Sequence, residues 1–395
     1  YTSGTTGLPK AARFSHARFL AGGSYHLLSG FGRHDALYCA LPLYHTVGGV
    51  ICVNAVLLTG ARLVLRRGFS ASRFWQDISE SGATTFQYIG EMCRYLITQA
   101  PGEYDRRHRV RYAVGNGLRP DIWEEFTHRF GIGRMVEFYG ATESNVTLVN
   151  LAGRPGSIGR LMPGITATLV RYDIGKGEHL RDASGLCVES AIGEAGELLG
   201  RISGDKTDMV RFEGYTSAAA TREKILRDVR AHGDAWFRSG DLLKRDREGY
   251  FYFVDRIGDS FRWKGENVST QEVEEALTAY PGIDLAVAYG VEIPGTEGRA
   301  GMAALALSGE VLLAEEAFYR HVERLPVYAR PVFLRIVEQP DMTGTFKVRK
   351  IDLQRQGFDS QVIAAPLFYR DDTARRYRVL DVAAYACILD GRIRF

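Results

Sequence analysis

The sequence lacks the features of an extracellular or membrane-embedded protein. It has only five cysteines, which form no CxxC pair and have no histidine at metal-ligating spacing. We interpret them as buried thiols in a reducing compartment, which excludes a disulfide framework and a structural zinc site. The longest apolar run, 47–58, is broken by two glycines and an asparagine and is too short to cross a bilayer.

A strong net charge is also absent. The 50 basic and 47 acidic residues leave a formal charge of +3, which does not indicate a nucleic-acid partner. The basic stretch 106–111 is interpreted as solvated surface. Hydrophobic residues make up 45% and charged residues 25%, as in ordinary globular proteins. The 395 residues suffice for two or three domains with proper cores.

The first ten residues combine four hydroxyl side chains, two glycines and a lysine. The glycines allow backbone N–H groups to approach an anion, the hydroxyls donate hydrogen bonds, and Lys10 adds positive charge. This composition suits a polyanion, and the alternative for the segment on its own is a solvated Ser/Thr/Gly turn. It is not the usual P-loop, because Lys10 follows Pro9 and precedes Ala11.

The chain begins without methionine and without a strand that leads into this loop. We therefore expect a fragment that lacks an N-terminal part. Helices are predicted over 15–28, 47–58 and 120–130, an amphipathic segment over 74–81, and a strand over 135–139. Strands and helices alternate over the first 140 residues, which predicts a mostly parallel sheet with helices on both faces. Shorter strands from about residue 153 predict a β-rich subdomain, and a compact α+β unit follows. We place the boundary between units at 257/258.

Polar residues stand at the ends of several predicted strands, where α/β sheets place ligand contacts. The bare backbone of 115–117 could lie flat against a purine ring. Glu143 suits Mg²⁺, which is usually held by one or two carboxylates together with substrate phosphates. The carboxylate of Asp241 could accept hydrogen bonds from both hydroxyls of a ribose. His45 is either a pocket residue or a structural histidine.

In this order the motifs closely resemble the acyl-adenylate-forming superfamily of acyl-CoA synthetases, luciferases and nonribosomal adenylation domains. The stretches 88–96, 115–119 and 255–270 resemble its branch of fatty acid transport proteins and very-long-chain acyl-CoA synthetases. The resemblance implies an α/β fold, with parallel sheets flanked by helices and a β-rich subdomain. Residues 1–257 would form a partial adenylating domain, and 258–395 a small, mobile α+β domain.

The resemblance also implies roles in nucleotide binding. The β- and γ-phosphates would be wrapped by Thr2, Ser3, Gly4, Thr5, Thr6, Gly7 and Lys10. Thr142 would contact the α-phosphate, and Glu143 would hold Mg²⁺. The adenine side would be formed by Asn116, Gly117, Tyr139 and Gly140, and the ribose would be held by Asp241 and Arg256.

Further roles concern the acyl group and the thiol. Lys347 would bridge the carboxylate and the phosphate; Lys350 is a rival for this match, but the spacing after 343–344 favours Lys347. Gly258 would be the hinge about which the small domain rotates. The rotation would replace Lys347 by the loop that contains Lys264, Gly265 and Glu266. The acyl pocket would draw on His45, Gly48, Gly49, Tyr88, Ile89 and Gly90, and its glycines would leave room for a long chain.

The implied activity is a long- or very-long-chain fatty acyl-CoA synthetase that uses ATP, Mg²⁺ and coenzyme A through an acyl-adenylate. Two alternatives stay open: a CoA ligase for a bile acid, a branched-chain acid or carnitine, and a non-catalytic module that binds or transports fatty acid. The five thiols and the use of ATP predict a cytoplasmic location, with any membrane contact peripheral at the inner face.

Overall fold

The computed structural model describes residues 10–204, 211–309, 313–338 and 350–395. Its first unit contains a sheet of seven described strands in the order β2-β1-β3-β4-β5-β6-β7. The strands are β1 Ala36–Cys39, β2 Arg62–Leu65, β3 Thr85–Ile89, β4 Tyr112–Asn116, β5 Met135–Tyr139, β6 Leu148–Asn150 and β7 Arg160–Leu161. The first five strands pair in parallel and the last two are antiparallel, so the predicted mostly parallel sheet is confirmed.

Helices connect these strands. They are α1 His16–Ala21, α2 Ser24–Leu28, α3 Val53–Thr59, α4 Phe74–Ser81, α5 Gly90–Ile97 and α6 Pro120–Phe130. The single helix expected over 15–28 is instead two helices, and the apolar run 47–58 begins as a π-helical turn, Thr46–Cys52. The core lies between the sheet and the aromatic faces of α4 and α6, where Phe74, Phe126 and Phe130 are fully buried. Burial of these rings fixes α4 and α6 against the sheet.

The second unit is rich in antiparallel strands, as predicted. Its elements are β8 Ala167–Val170, β9 Tyr172–Asp173, β10 Glu178–His179, β11 Gly196–Arg201, α7 Ala218–Glu223, β12 Ile225–Arg227, β13 Ala235–Arg245 and β14 Phe251–Arg256. Within the described ranges, five of these strands form one sheet, in which β13 pairs with β11, β12 and β14. The long strand β13 carries the Ser239–Asp241 segment towards the first sheet.

The third unit is the expected α+β unit. Its elements are β15 Phe261–Trp263, β16 Glu266–Val268, α8 Thr270–Thr278, β17 Ile283–Val291, β18 Ala300–Leu307, α9 Glu315–Val322, a 3₁₀ turn Val327–Ala329, β19 Phe333–Ile336, α10 Lys350–Gln356, β20 Leu367–Asp371, β21 Arg376–Val379 and α11 Val382–Leu389. In the described residues β17 to β21 form one sheet in chain order, and β15 pairs with β16 as a hairpin. A turn at 257–259 joins this unit to β14.

Candidate functional site

The polar residues at the strand ends converge on one cavity of 1640 Å³. It lies at the carboxyl ends of β4 and β5, where parallel sheets commonly bind ligands. Many of the residues singled out from the sequence line it: Lys10, His45, Ile89, Asn116, Gly117, Tyr139, Gly140, Thr142, Glu143, Asp241, Arg256 and Gly258. Residues of the third unit, including Lys350, line the same cavity.

Tyr139, Asp241 and Arg256 form one polar group. The Tyr139 hydroxyl donates to Asp241 Oδ2 at 2.6 Å, and Arg256 Nε lies 3.7 Å from Asp241 Oδ1. Asp241 and Arg256 are directly opposite each other in the β13–β14 pair, so the sheet register brings them together. Burial and the Asp241 charge raise the pKa of Tyr139, which keeps its hydroxyl protonated as a donor. The arrangement offers carboxylate oxygens and an aromatic ring to a nucleoside.

The backbone after β4 is held by a buried side chain that the sequence analysis missed. Glu137 on β5 is buried, and its carboxylate accepts hydrogen bonds from the backbone N–H groups of Gly117 and Leu118 at 2.8 and 3.0 Å. Glu197 on β11 has a similar contact beside Asp241, because its carboxylate accepts from the backbone N–H of Gly240 at 3.1 Å. The only sequence indication of either glutamate is a charge within an otherwise apolar strand.

The phosphate side of the predicted site is only partly described. Residues 2–7, with the glycines and hydroxyls of the opening segment, lie outside the described residues, and so does Lys347. Lys10 is described: its Nζ lies 3.3 Å from Glu223 Oε2 and 6.0 Å from the centre of the Tyr215 ring. The chain after Lys10 is anchored to the second unit, because Arg13 N donates to Gly214 O at 2.9 Å.

Thr142 and Glu143 follow β5 in a short loop. The Thr142 hydroxyl lies 2.9 Å from the hydroxyl of Thr46, and Glu143 Oε1 accepts from the Tyr215 hydroxyl at 2.9 Å. Buried Arg18, which the sequence analysis missed, donates to the carbonyl oxygens of Thr142 and Ser144 at 2.9 and 2.6 Å. This guanidinium fixes the backbone on both sides of Glu143.

The described residues contain no cluster of three or more histidine, cysteine or carboxylate side chains that could bind a metal alone. One protein carboxylate is enough for Mg²⁺ that arrives with a nucleotide, because this ion is usually held by one or two carboxylates together with substrate phosphates. Glu143 lines the cavity and could supply that ligand. The donor set is therefore compatible with Mg²⁺ bound together with phosphate.

Only some of the residues expected to form the acyl pocket line the cavity. His45 and Ile89 line the cavity, and His45 also caps the π-helical turn by accepting from Val47 N at 3.3 Å. Tyr88 is fully buried and donates to Glu137 Oε1 at 2.7 Å. Neither Tyr88 nor the three glycines, Gly48, Gly49 and Gly90, are among the described residues that line this cavity.

These glycines were expected to leave space for a long chain, and the geometry corrects this expectation. A Cβ atom on Gly48 would overlap the carbonyl of Pro42, and one on Gly49 would overlap that of Leu43. A Cβ on Gly90 would overlap the carbonyl of Gly117. The space beside each glycine is filled by backbone, so these positions allow close chain packing. The acyl pocket itself stays a prediction.

The loop that contains Lys264, Gly265 and Glu266 is the tip of the β15–β16 hairpin. Lys264 and Gly265 have φ angles of 52° and 83°, as in a two-residue type I′ turn. Lys264, Gly265 and Glu266 are exposed and are not among the described residues that line the cavity. In this arrangement the loop lies outside the nucleotide side of the site.

Lys350, the rival of Lys347, is held by carboxylates of the third unit and the turn that leads to it. Its Nζ lies 2.8 Å from Glu274 Oε1 and 3.8 Å from Asp259 Oδ2, and it donates to the Thr270 hydroxyl at 2.9 Å. Burial opposes the charge, but the neighbouring carboxylates outweigh it and raise the pKa of Lys350. Lys350 is therefore a structural cation in this arrangement.

Gly258 lies in the turn at 257–259. The carbonyl of Arg256 accepts from Asp259 N and Ser260 N at 3.0 and 2.9 Å, and Ile257 N donates to Gly240 O at 2.9 Å. The turn is thus anchored to Gly240 of β13 on one side and continues into β15 on the other. Its role as a hinge stays a prediction.

Comparison with known proteins identifies the class. The model of the AMP-binding enzyme family matches residues 1–205, and that of the AMP-binding enzyme C-terminal domain matches residues 272–347. The first match covers more than half of the chain, which therefore belongs to the AMP-binding enzyme family. The family expectation from the sequence is confirmed.

Its curated relatives include long-chain fatty acid transport proteins. The chain is 48% identical to long-chain fatty acid transport protein 1 of Homo sapiens over 403 residues, which is 99% of this chain and 61% of that protein. It is 46% identical to long-chain fatty acid transport protein 3 of Mus musculus over 400 residues, or 100% of this chain and 59% of the relative. The chain thus spans about three-fifths of the length of these relatives.

Solved structures share the fold at lower identity. ATP-bound MatB from Rhodopseudomonas palustris has a TM-score of 0.75 and 23% identity, over 90% of this chain and 67% of that chain. A benzoate CoA ligase from Burkholderia xenovorans LB400 has a TM-score of 0.70 and 21% identity, over 88% of this chain and 67% of that chain.

Within the described part of this chain, no helix is both long and apolar enough to span a membrane.

Proposed function

We propose that the protein is an ATP-dependent long- or very-long-chain fatty acyl-CoA synthetase. The observation that carries the proposal is the convergence of Tyr139, Asp241 and Arg256 with Thr142 and Glu143 on a single cavity. A nucleoside fits the first group, and phosphates with Mg²⁺ fit the second. The name shared by the curated relatives supports a long-chain fatty acid as the second substrate.

In the first half-reaction, a carboxylate oxygen of the fatty acid attacks the α-phosphate of ATP and pyrophosphate leaves. Negative charge grows on the leaving group, and groups fixed in advance stabilise it best. We assign Lys10 and residues 2–7 to the leaving phosphates, Thr142 to the α-phosphate, and Lys347 to the carboxylate and the phosphate. Mg²⁺ held by Glu143 would neutralise charge between phosphates.

In the second half-reaction, the thiol of coenzyme A attacks the acyl carbonyl and AMP leaves. Lys350 and Glu274 of the third unit line the same cavity as the nucleotide residues, whereas Lys264 to Glu266 lie outside it. We propose that this is the adenylating arrangement. Rotation about Gly258 would then withdraw Lys347 and bring the hairpin tip to the site. The protein would act in the cytoplasm, at most peripherally on a membrane.

A pyrophosphate-release assay with a panel of acids tests the proposal. The full-length protein, ATP and Mg²⁺ would be supplied with long- and very-long-chain fatty acids, a bile acid, a branched-chain acid or carnitine. We expect release that depends on fatty acid, and formation of acyl-CoA when coenzyme A is added. Faster turnover of one of the other acids would identify that class of acid as the substrate instead. No turnover with any acid would favour a binding or transport module.

A further inference from the structure

The backbone of Gly117 and Leu118 depends on one buried side chain for its hydrogen bonds. The pairing of β4 with β5 ends at Gly115, so the next N–H groups have no partner in that strand pair. The Glu137 carboxylate takes their place: Oε2 accepts from Gly117 N at 2.8 Å and Oε1 from Leu118 N at 3.0 Å. Buried backbone donors that lack an acceptor are costly, so this carboxylate defines the path of the segment.

The same segment is constrained by its neighbours. Gly117 has a φ of 81°, a backbone conformation that residues other than glycine rarely adopt. Its carbonyl packs directly against Gly90. Small displacements of 117–118 would therefore meet backbone on one side and open the cavity on the other. Asn116 and Gly117 line that cavity, so the position of this backbone sets one wall of the proposed adenine site.

Ionisation of Glu137 is energetically unfavourable for the fold. The side chain is 2% exposed, and burial raises the pKa of Glu137 to about 7, although the bonds from Tyr88, Leu118 and Gly117 oppose this. The titratable groups that face it are Tyr88 on β3 and Cys93 on α5, and burial raises the pKa of both. A neutral side chain would be cheaper to bury here.

We propose that Glu137 is a positioning residue, whose carboxylate holds the Gly117–Leu118 backbone in the form that receives a purine ring. The inference rests on the nucleotide site proposed above. It explains why a carboxylate occupies a strand position that packing alone would fill with an apolar residue. Protonation would replace charge-assisted hydrogen bonds by neutral ones, which are about half as strong.

The effects of pH on ATP binding and on stability then have opposite signs. ATP affinity rises as pH increases through about 7, because the carboxylate form holds the loop. Stability behaves differently, because an unfolded glutamate has its ordinary pKa of 4.5. Between pH 4.5 and about 7 the folded state binds more protons, so the contribution of Glu137 to stability falls as pH rises through this window. If Glu137 had only a structural role, its protonation would change stability but would not change ATP affinity.

The test is calorimetric titration of the whole protein with ATP and Mg²⁺ between about pH 6 and about pH 8, together with thermal unfolding, since the titration is centred near neutrality. We expect Glu137→Gln to bind ATP about tenfold more weakly at the high end, the scale of one charged hydrogen bond, and to lose the pH dependence. At the high end of the pH range, the thermal stability of this variant should be no lower than that of the wild type. Glu124→Gln, the same change at an exposed position on α6, should follow the wild type.

A second variant keeps the inference testable if Glu137→Gln folds poorly. Tyr88→Phe removes a hydrogen bond that lowers the pKa of Glu137, so the midpoint of ATP binding should move to higher pH. Unchanged ATP affinity of Glu137→Gln at high pH, or an unchanged midpoint in Tyr88→Phe, would overturn the inference. So would parallel loss of affinity and stability at every pH. A wild type that binds no ATP would instead overturn the proposed nucleotide site.

Discussion

At the scale of single residues, the site depends on buried charges that face backbone groups. Glu137 accepts from the backbone N–H groups of Gly117 and Leu118, and Glu197 accepts from that of Gly240. Arg18 donates to the carbonyls on either side of Glu143. Each charge replaces hydrogen bonds that a strand or helix would otherwise supply. The loops can therefore hold unusual backbone paths without losing their hydrogen bonds.

Arg18 gives a prediction at this scale. Its planar guanidinium serves the carbonyls of Thr142, Ser144 and Arg211 at once, which an ammonium group cannot do with the same geometry. We expect Arg18→Lys to raise the Mg²⁺ concentration for half-maximal pyrophosphate release about tenfold, as for the loss of one or two hydrogen bonds that position Glu143. Measurement of release against Mg²⁺ concentration checks this.

The matched control is Arg13→Lys, because Arg13 is exposed and lies one turn before α1. It should leave the Mg²⁺ requirement unchanged. An Arg18→Lys protein that is stable and has the Mg²⁺ requirement of the wild type would show that the Glu143 loop does not need this guanidinium.

These supporting residues also mark the limit of sequence reasoning. Asp241, Arg256 and Glu143 stand in short motifs, so their residue types and spacing indicated a ligand site. Glu137, Glu197 and Arg18 lie within ordinary strand or helix patterns, and the backbone groups that their side chains bond are between 19 and 193 residues away in the chain. Only the packed sheet brings such pairs together, so no local pattern could reveal them.

At the scale of elements, the strand ends were predictable and the close packing was not. Helices α4 and α6 and strand β5 have the bounds expected from their apolar periodicity and caps. The space expected beside Gly48, Gly49 and Gly90 is filled by backbone. A glycine that leaves a pocket and one that admits a neighbouring backbone look alike in sequence. The contacts of the π-helical turn and of the 115–118 segment decide between them.

The turn at 257–259 gives a prediction for an element. Proline fixes φ near −65° and restricts the residue before it, so a proline at 258 would resist a large change in backbone angles. We expect Gly258→Pro to retain formation of acyl-adenylate and to lose thioester formation. Separate assays of pyrophosphate release and of acyl-CoA production check this, with Gly258→Ala as the milder control. Equal loss of both half-reactions would contradict the assignment of this turn as the hinge.

At the scale of the whole molecule, the third unit is docked on the first. The buried Arg94 on α5 donates to the carbonyl of Asp284 on β17 at 2.6 Å, and its Nε donates to Glu91 Oε2 at 2.9 Å. Asp255 at the end of β14 accepts from the backbone and hydroxyl of Thr270 at the start of α8. A rotation about the proposed hinge would have to break or exchange such contacts, so they stabilise the docked arrangement.

In the proposed first half-reaction, the fatty carboxylate itself attacks the α-phosphate. Fatty acid labelled with ¹⁸O in its carboxylate tests this most directly, with mass spectrometry of the products after a reaction with ATP, Mg²⁺ and coenzyme A. An acyl-adenylate route transfers one labelled oxygen to AMP and leaves pyrophosphate unlabelled, which is the result we predict. Unlabelled AMP formed alongside acyl-CoA, or label in inorganic phosphate with release of ADP, would contradict the account.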